Sequence, residues 1–183
     1  MTGLGIVNGV QYADQMPDTL AGSRRILQEF GYFEAPASSK YHLAELGGLY
    51  IHSCNVTKAL LYITEKLGLK WGREESPYIV GMLHDLCKCD AYAYTKESGY
   101  AVNKDGLFNP KLHGVKSVIL AQRVLSNTEL KTLTEEEILC ITYHMGAYTE
   151  KDDWHNFDIA MKKYPNVYFT HVADMIATKF MEG

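Results

Sequence analysis

Apolar positions along the chain recur mostly three and four residues apart, the period of helices that bury one face. Pro17-Asp-Thr reads as a helix start; Leu20, Ile26, Leu27 and Phe30 follow at near-helical spacing and Gly31 fits a C-cap. Gly47-Gly48 opens a long helix over roughly 48–67, closed by Gly68, with Leu49, Val56, Leu60, Ile63 and Leu67 as its apolar stripe. Ser76 as N-cap and Pro77 as first residue start another, with Tyr78, Ile79, Met82, Leu83 and Leu86 turned inward. Ala91-Tyr-Ala-Tyr-Thr and Tyr100-Ala-Val-Asn around Lys96-Glu-Ser-Gly99 alternate instead, which predicts a small surface hairpin and the only β-structure. Asn109-Pro110 begins a helix with His113 in its first turn and Val115, Ile119, Val124 and Leu125 behind. Thr134-Glu-Glu-Glu137 is a capping box for a helix carrying Ile138, Ile141 and finally His144, ending at Gly146. Trp154, His155 and Phe157 fall in a further short helix, and Pro165 starts the last, whose inward face is Val167, Val172, Met175, Ile176 and Phe180. Roughly six helices with short connections, no repeat and no long linker predict one all-α helical bundle over 1–183: an extension and first helix over 1–38, and a core over 40–180.

Composition narrows the classes of function. A hydrophobic fraction of 46% and a charged fraction of 22% are those of a globular protein able to bury a core without staples. A net charge of −4 argues against a broad basic surface for nucleic acid, leaving only a nucleotide or short strand held locally. Met1-Thr-Gly-Leu-Gly lacks the basic and apolar regions of a signal peptide, and no run is long enough to span a bilayer, so the expectation is a cytoplasmic protein with reduced thiols. Gly3, Gly5 and Gly9 miss the dinucleotide spacing, and Cys87-Lys-Cys89 is one residue short of a zinc pair and has no second pair.

The chemistry concentrates at His84-Asp85, where an apolar helix ends in an imidazole, a carboxylate and, three residues on, Lys88. A carboxylate in apolar surroundings costs several kcal/mol unless a cation or hydrogen bonds compensate it. Two arrangements meet that need: a solvated helix end with Lys88 answering the helix dipole, or a divalent metal bound by both neighbours. On the dipeptide alone the solvated end is the commoner arrangement. His52, one turn before Val56, shares an inward face, where an isolated histidine is more often a hydrogen-bonded core residue than a ligand. The balance shifts because nearly every central helix carries one candidate ligand: His52, His84 with Asp85, His113, His144 and Asp174. Imidazole with carboxylate suits Mn, Fe, Co, Ni or Zn, and ligands from separate helices converging in a bundle are a known construction.

The order His52…His84-Asp85…Asp174 resembles the HD-domain metal-dependent phosphohydrolase superfamily over roughly residues 40–180. Gly47-Gly-Leu-Tyr-Ile-His-Ser53 is similar to the segment around the first metal histidine, Gly81-Met-Leu-His-Asp-Leu-Cys-Lys88 to the His-Asp segment, and His171-Val-Ala-Asp174 to the segment that completes the site. Cys87 stands where a glycine is usual, and Tyr143-His144 where dinuclear members often carry paired histidines. The resemblance implies that His52, His84, Asp85 and Asp174 hold one divalent transition metal, with His113 and His144 binding a second metal or the phosphate. It implies hydrolysis of a phosphomonoester or phosphodiester, the substrate being a nucleotide or small phosphorylated metabolite, with a metal-bound water as the nucleophile. Asp85 orients or deprotonates that water; Lys88 either stabilises phosphate charge or pairs with a neighbouring carboxylate. His42 resembles a feature of the branch with exoribonuclease-type members, and with Tyr143 it is a candidate substrate contact. The alternative is an HD domain without catalysis, sensing a nucleotide or serving assembly. Oligomeric state and the choice of metal stay open.

Overall fold

The computed structural model describes residues 6–7, 10–11, 15–97, 99–106 and 112–182. In chain order the elements are β1 (Ile6–Val7), β2 (Val10–Gln11), α1 (Arg24–Glu29) after a 3-10 turn (Asp18–Ser23), α2 (Gly48–Leu67), α3 (Ser76–Leu83), β3 (Tyr92–Thr95), β4 (Gly99–Val102), α4 (His113–Leu125), α5 (Glu135–Thr142), α6 (Trp154–Lys163) and α7 (Asn166–Ile176). Helices dominate, and the expected hairpin is present as antiparallel β3–β4 with Tyr92 opposite Val102 and Thr95 opposite Gly99. A second short antiparallel pair, β1–β2, adds β-structure that the hydrophobic pattern gave no sign of. The expected helix start at Asn109-Pro110 lies outside the described residues. No helix among the described residues is long and apolar enough to cross a membrane.

The long helix α2 lies at the centre, packed against α3 and α7, while α5 contacts α3, α4 and α7. Leu49, Val56, Leu60 and Ile63 of α2 meet Ile79, Met82, Leu83, Ile141 and Val167 in one core. The α2–α3 approach is close enough that a Cβ at Gly81 would run into the Thr57 side chain and backbone. That closeness sets the depth at which the end of α3 enters the core.

Several positions depart from the sequence pattern. Ser76 does not cap α3: Glu75 precedes the helix, Pro77 sits in its first turn, and the buried Ser76 hydroxyl donates to Glu137 Oε1 at 2.8 Å. Glu137 draws it there because the same carboxylate takes two hydrogen bonds from Arg73, at 2.8 and 2.6 Å, and completes the capping box with Thr134. Leu67, Tyr78, Val115, Ile119, Ile138 and Phe180 were expected inside and are exposed. In α4 the reason is plain: the buried face is Gly114, Ser117, Ala121, Val124 and Leu125. Small residues there let α4 approach so closely that a Cβ at Gly114 would strike the Thr142 carbonyl, and the larger Val115 and Ile119 turn outward. His144 lies just beyond α5, which ends at Thr142.

Gly81→Val should cost about 1–3 kcal/mol of folding stability by overpacking the α2–α3 contact. Chemical denaturation checks this, and an unchanged midpoint would show that the two helices are not held at this separation.

Candidate metal centre

Five helices deliver polar side chains to one buried point. His52 comes from the second turn of α2, and Asp174 from α7. His84 is the C-cap of α3 and Asp85 follows it, the chain leaving the helix there for a 3-10 turn (Leu86–Asp90) that fixes the carboxylate inward. His113 opens α4 and His144 follows α5. The solvated helix end is ruled out, because the Asp85 side chain is 2% exposed and those of His84 and His144 are fully buried.

The donor atoms stand at ligand-to-ligand spacing. His52 Nε2 lies 3.3 Å from His84 Nε2, 3.3 Å from Asp174 Oδ1 and 3.5 Å from Asp85 Oδ2. His84 Nε2 is likewise 3.5 Å from Asp85 Oδ2. Atoms bound about 2.0–2.1 Å from one tetrahedral metal sit roughly 3.3–3.4 Å apart, a spacing close to that among His52, His84 and Asp85 and to that of Asp174 from His52. The other oxygen of Asp85 faces a second pair, His113 Nε2 at 2.7 Å and His144 Nε2 at 3.3 Å. Asp85 thus stands between the two histidine groups.

The opposite side of each ring fixes its protonation. His84 Nδ1 donates to the Gly81 carbonyl at 2.9 Å, and His144 Nδ1 to the Ile141 carbonyl at 2.7 Å. His52 Nδ1 faces both oxygens of Glu182 at 3.1 Å. In the neutral rings every Nε2 is therefore a bare lone pair aimed at the centre. His144 Nε2 is buried with no hydrogen-bond partner, and its carboxylate neighbour cannot donate to it. Two lone pairs 3.3 Å apart and an orphaned third need a cation or a shared proton. A divalent metal between His52 and His84 meets the first need, and a second ion or a proton at His144 the other, so the donor set fits a metal.

Charge points the same way. Asp85, Asp174 and Glu182 bring three carboxylates to the centre, and the Lys88 ammonium pairs directly with one of them, Asp85. Burial would raise the Asp85 pKa, but the Lys88 ammonium and the surrounding histidines hold it well below the usual carboxylate range. Asp174 is held down likewise, burial being outweighed by the hydrogen bond and charge of His52. Burial pushes His84 down to about 4, which keeps it a neutral ligand. For His52 burial works downward too, yet the bonds to Asp174 and Glu182 prevail and raise it to about 9, so in the absence of a metal a proton takes the cation's place. Cys87 also stands within ligand reach of Asp85 and His113, and while no metal is bound burial pushes its thiol far up.

The remaining sequence candidates border the centre. Lys88 Nζ pairs with Asp85 Oδ2 at 2.6 Å and also lines the cavity, so both roles expected of it are open to one side chain. His42 lies with its ring 5.2 Å from that of His52 and faces the same space. That cavity, about 890 Å³, has Asp85 and Asp174 in its floor and Lys40, Lys88 and Lys179 in its walls. A neighbouring lobe of about 450 Å³ shares His42 and Lys88 and contains His113, Tyr92 and Tyr143. Tyr94 and Tyr100 of the hairpin instead pack on each other, 5.3 Å between centroids. His171 joins the walls because Gly146, at φ +54°, leaves no Cβ in its way, and its Nδ1 donates to the His144 carbonyl at 2.9 Å.

One functional residue escaped the sequence reading. Glu182 is 1% exposed in its side chain, holds His52 from behind and is itself held by Asn55 Nδ2 at 3.0 Å. It follows a π-turn (Ala177–Met181) in no recognisable motif, and only the fold brings it to α2.

On the order of one divalent transition metal per chain should remain after gentle purification, and Asp174→Ala should lose it while circular dichroism stays native. Glu182→Ala should weaken metal affinity roughly 10–100-fold, the usual cost of removing a carboxylate that supports a ligating histidine. Elemental analysis and competitive chelator titration decide both; equal metal content in wild type and Asp174→Ala would rule out the centre as drawn.

Scans against protein-family models, curated proteins and solved structures returned no match, so this centre is read from its own chemistry: a buried set of histidines and carboxylates that could hold a metal ion.

Proposed function

We propose that the chain is a metal-dependent phosphohydrolase of the HD-domain type, cleaving a phosphomonoester or phosphodiester of a small metabolite or nucleotide. The observation that carries this reading is where the donor set meets open space: its two carboxylates, Asp85 and Asp174, line a cavity that three ammonium groups, Lys40, Lys88 and Lys179, line as well. A centre kept only for stability has no need of either the opening or the cations.

A bound divalent metal supplies Lewis acidity and brings the pKa of a water toward neutrality. His52, His84, Asp85 and Asp174 would hold it. Asp85, kept ionised by Lys88 and the surrounding histidines, is a carboxylate able to orient the attacking water and accept its proton. Burial would discharge Lys88, but the adjacent Asp85 outweighs it and keeps the ammonium charged at the cavity wall, where it can meet a phosphoryl oxygen. His113 donates Nε2–H to Asp85 Oδ1 and so steadies the carboxylate; His144, with its free lone pair, suits a second ion beside the first.

Hydrolysis of p-nitrophenyl phosphate or its bis-ester should require Mn, Fe, Co, Ni or Zn and vanish on chelation. Lys88→Met should keep the metal and lose rate by a factor on the order of 100–1000, the cost of one charge-stabilising group. His113→Ala and His144→Ala should each retain at least one metal and slow turnover on the order of 10–1000-fold. Turnover that survives both chelation and Asp85→Asn would overturn the reading. Binding of phosphoesters without turnover under every metal would instead identify a sensor.

A further inference from the structure

We infer that the metal cavity continues into a subsite for an aliphatic chain, and that the substrate is a phosphoester whose ester group is apolar. This rests on the phosphoester reading of the centre.

On α7 and the π-turn after it, Tyr168, Val172, Met175, Ile176 and Phe180 recur at three- and four-residue intervals and so share one side. Phe157 and Met161 of α6 stand opposite, and together they enclose a groove of about 600 Å³. The groove and the metal cavity have His171, Met175 and Lys179 in common, so the two adjoin along that row. Lys179 therefore sits at the junction, where a phosphate would end and its ester group begin.

The chemistry of the groove selects its occupant. Of the described residues lining it, only Tyr168, His171 and Lys179 have nitrogen or oxygen in their side chains, and His171 Nδ1 is already committed to the His144 carbonyl. A nucleobase placed there would leave its donors and acceptors unpaired, which costs free energy, whereas an alkyl chain has none to satisfy. Two methionines and a phenylalanine that is 84% exposed give an adaptable apolar wall open at its outer end. An exposed apolar surface of this kind marks a binding site, and its concavity and volume are those of a small-ligand pocket. The reaction balances simply: water adds to phosphorus, the P–O ester bond breaks, and the aliphatic alcohol leaves with a proton.

The test uses the full chain loaded with metal, and alkylphosphonates, whose C–P bond is not hydrolysed. Affinity for butyl-, hexyl- and octylphosphonate is measured by calorimetry, with sedimentation of the same samples. A fully buried methylene gives roughly fourfold in affinity, so a partly open groove should give about tenfold or more from butyl to octyl. Met161→Gln, and the surface variant Phe180→Glu whose fold is not at risk, should both flatten that dependence. Tight binding that is indifferent to chain length overturns the subsite and leaves the phosphohydrolase reading standing. Failure of every phosphonate to bind overturns both. A dimer that Phe180→Glu dissociates, with no chain-length effect, would assign the groove to an interface between copies.

Discussion

The Asp85 carboxylate sits almost free of solvent, and everything around it answers that burial. An ionised carboxylate in such a place is tolerated only with several compensating partners. Here they are the Lys88 ammonium on Oδ2 and His113 on Oδ1, while the Nε2 lone pairs of His52, His84 and His144, within 3.5 Å, add a further demand for a cation. The fold brings these together: α3 ends at Leu83, two residues before Asp85, Gly81 lets that end reach α2, and α7 returns Asp174 to His52. Removing any one partner leaves the others with unmatched charge or unpaired nitrogen. The orphaned His144 Nε2 shows that even the full set is incomplete without a cation.

The ring nitrogens facing away from the centre matter as much as those facing it. Main-chain carbonyls of Gly81 and Ile141 hold two rings and the Glu182 carboxylate holds the third. A carbonyl three residues back in a helical turn is a local partner, supplied wherever a histidine follows such a turn. Glu182 is a distant one, and it adds negative charge that strengthens His52 as a donor. The centre is thus built from two cheap local contacts and one that depends on the whole fold.

Much of this was legible in the sequence. The helix over 48–67, the helical spacing from Val115 to Leu125, the capping box at Thr134 and the hairpin after the His-Asp pair followed from periodicity and turn chemistry, and the one-ligand-per-helix pattern named the residues that converge. Other features were out of reach for physical reasons. The inward face of α4 is made of small residues, so a scale that rewards large apolar side chains selects the wrong side, as it did for Val115 and Ile119. Ser76 has the ideal identity for an N-cap, and only tertiary contact with Glu137 assigns its hydroxyl elsewhere. Glu182 carries no local signal because its role depends on meeting a helix 130 residues earlier in the chain. The apolar stripe from Val172 to Phe180 was read as core, and the structure has it lining a cavity.

The central claim is that the imidazoles and carboxylates around Asp85 are the ligands of one or two metal ions. X-ray absorption at the metal edge of the purified protein tests it most directly. The account predicts a shell of nitrogen and oxygen at about 2.0–2.2 Å, with imidazole outer-shell scattering from at least two histidines and no sulfur. A sulfur shell near 2.3 Å would contradict it, as would a protein that takes up no stoichiometric metal after reconstitution.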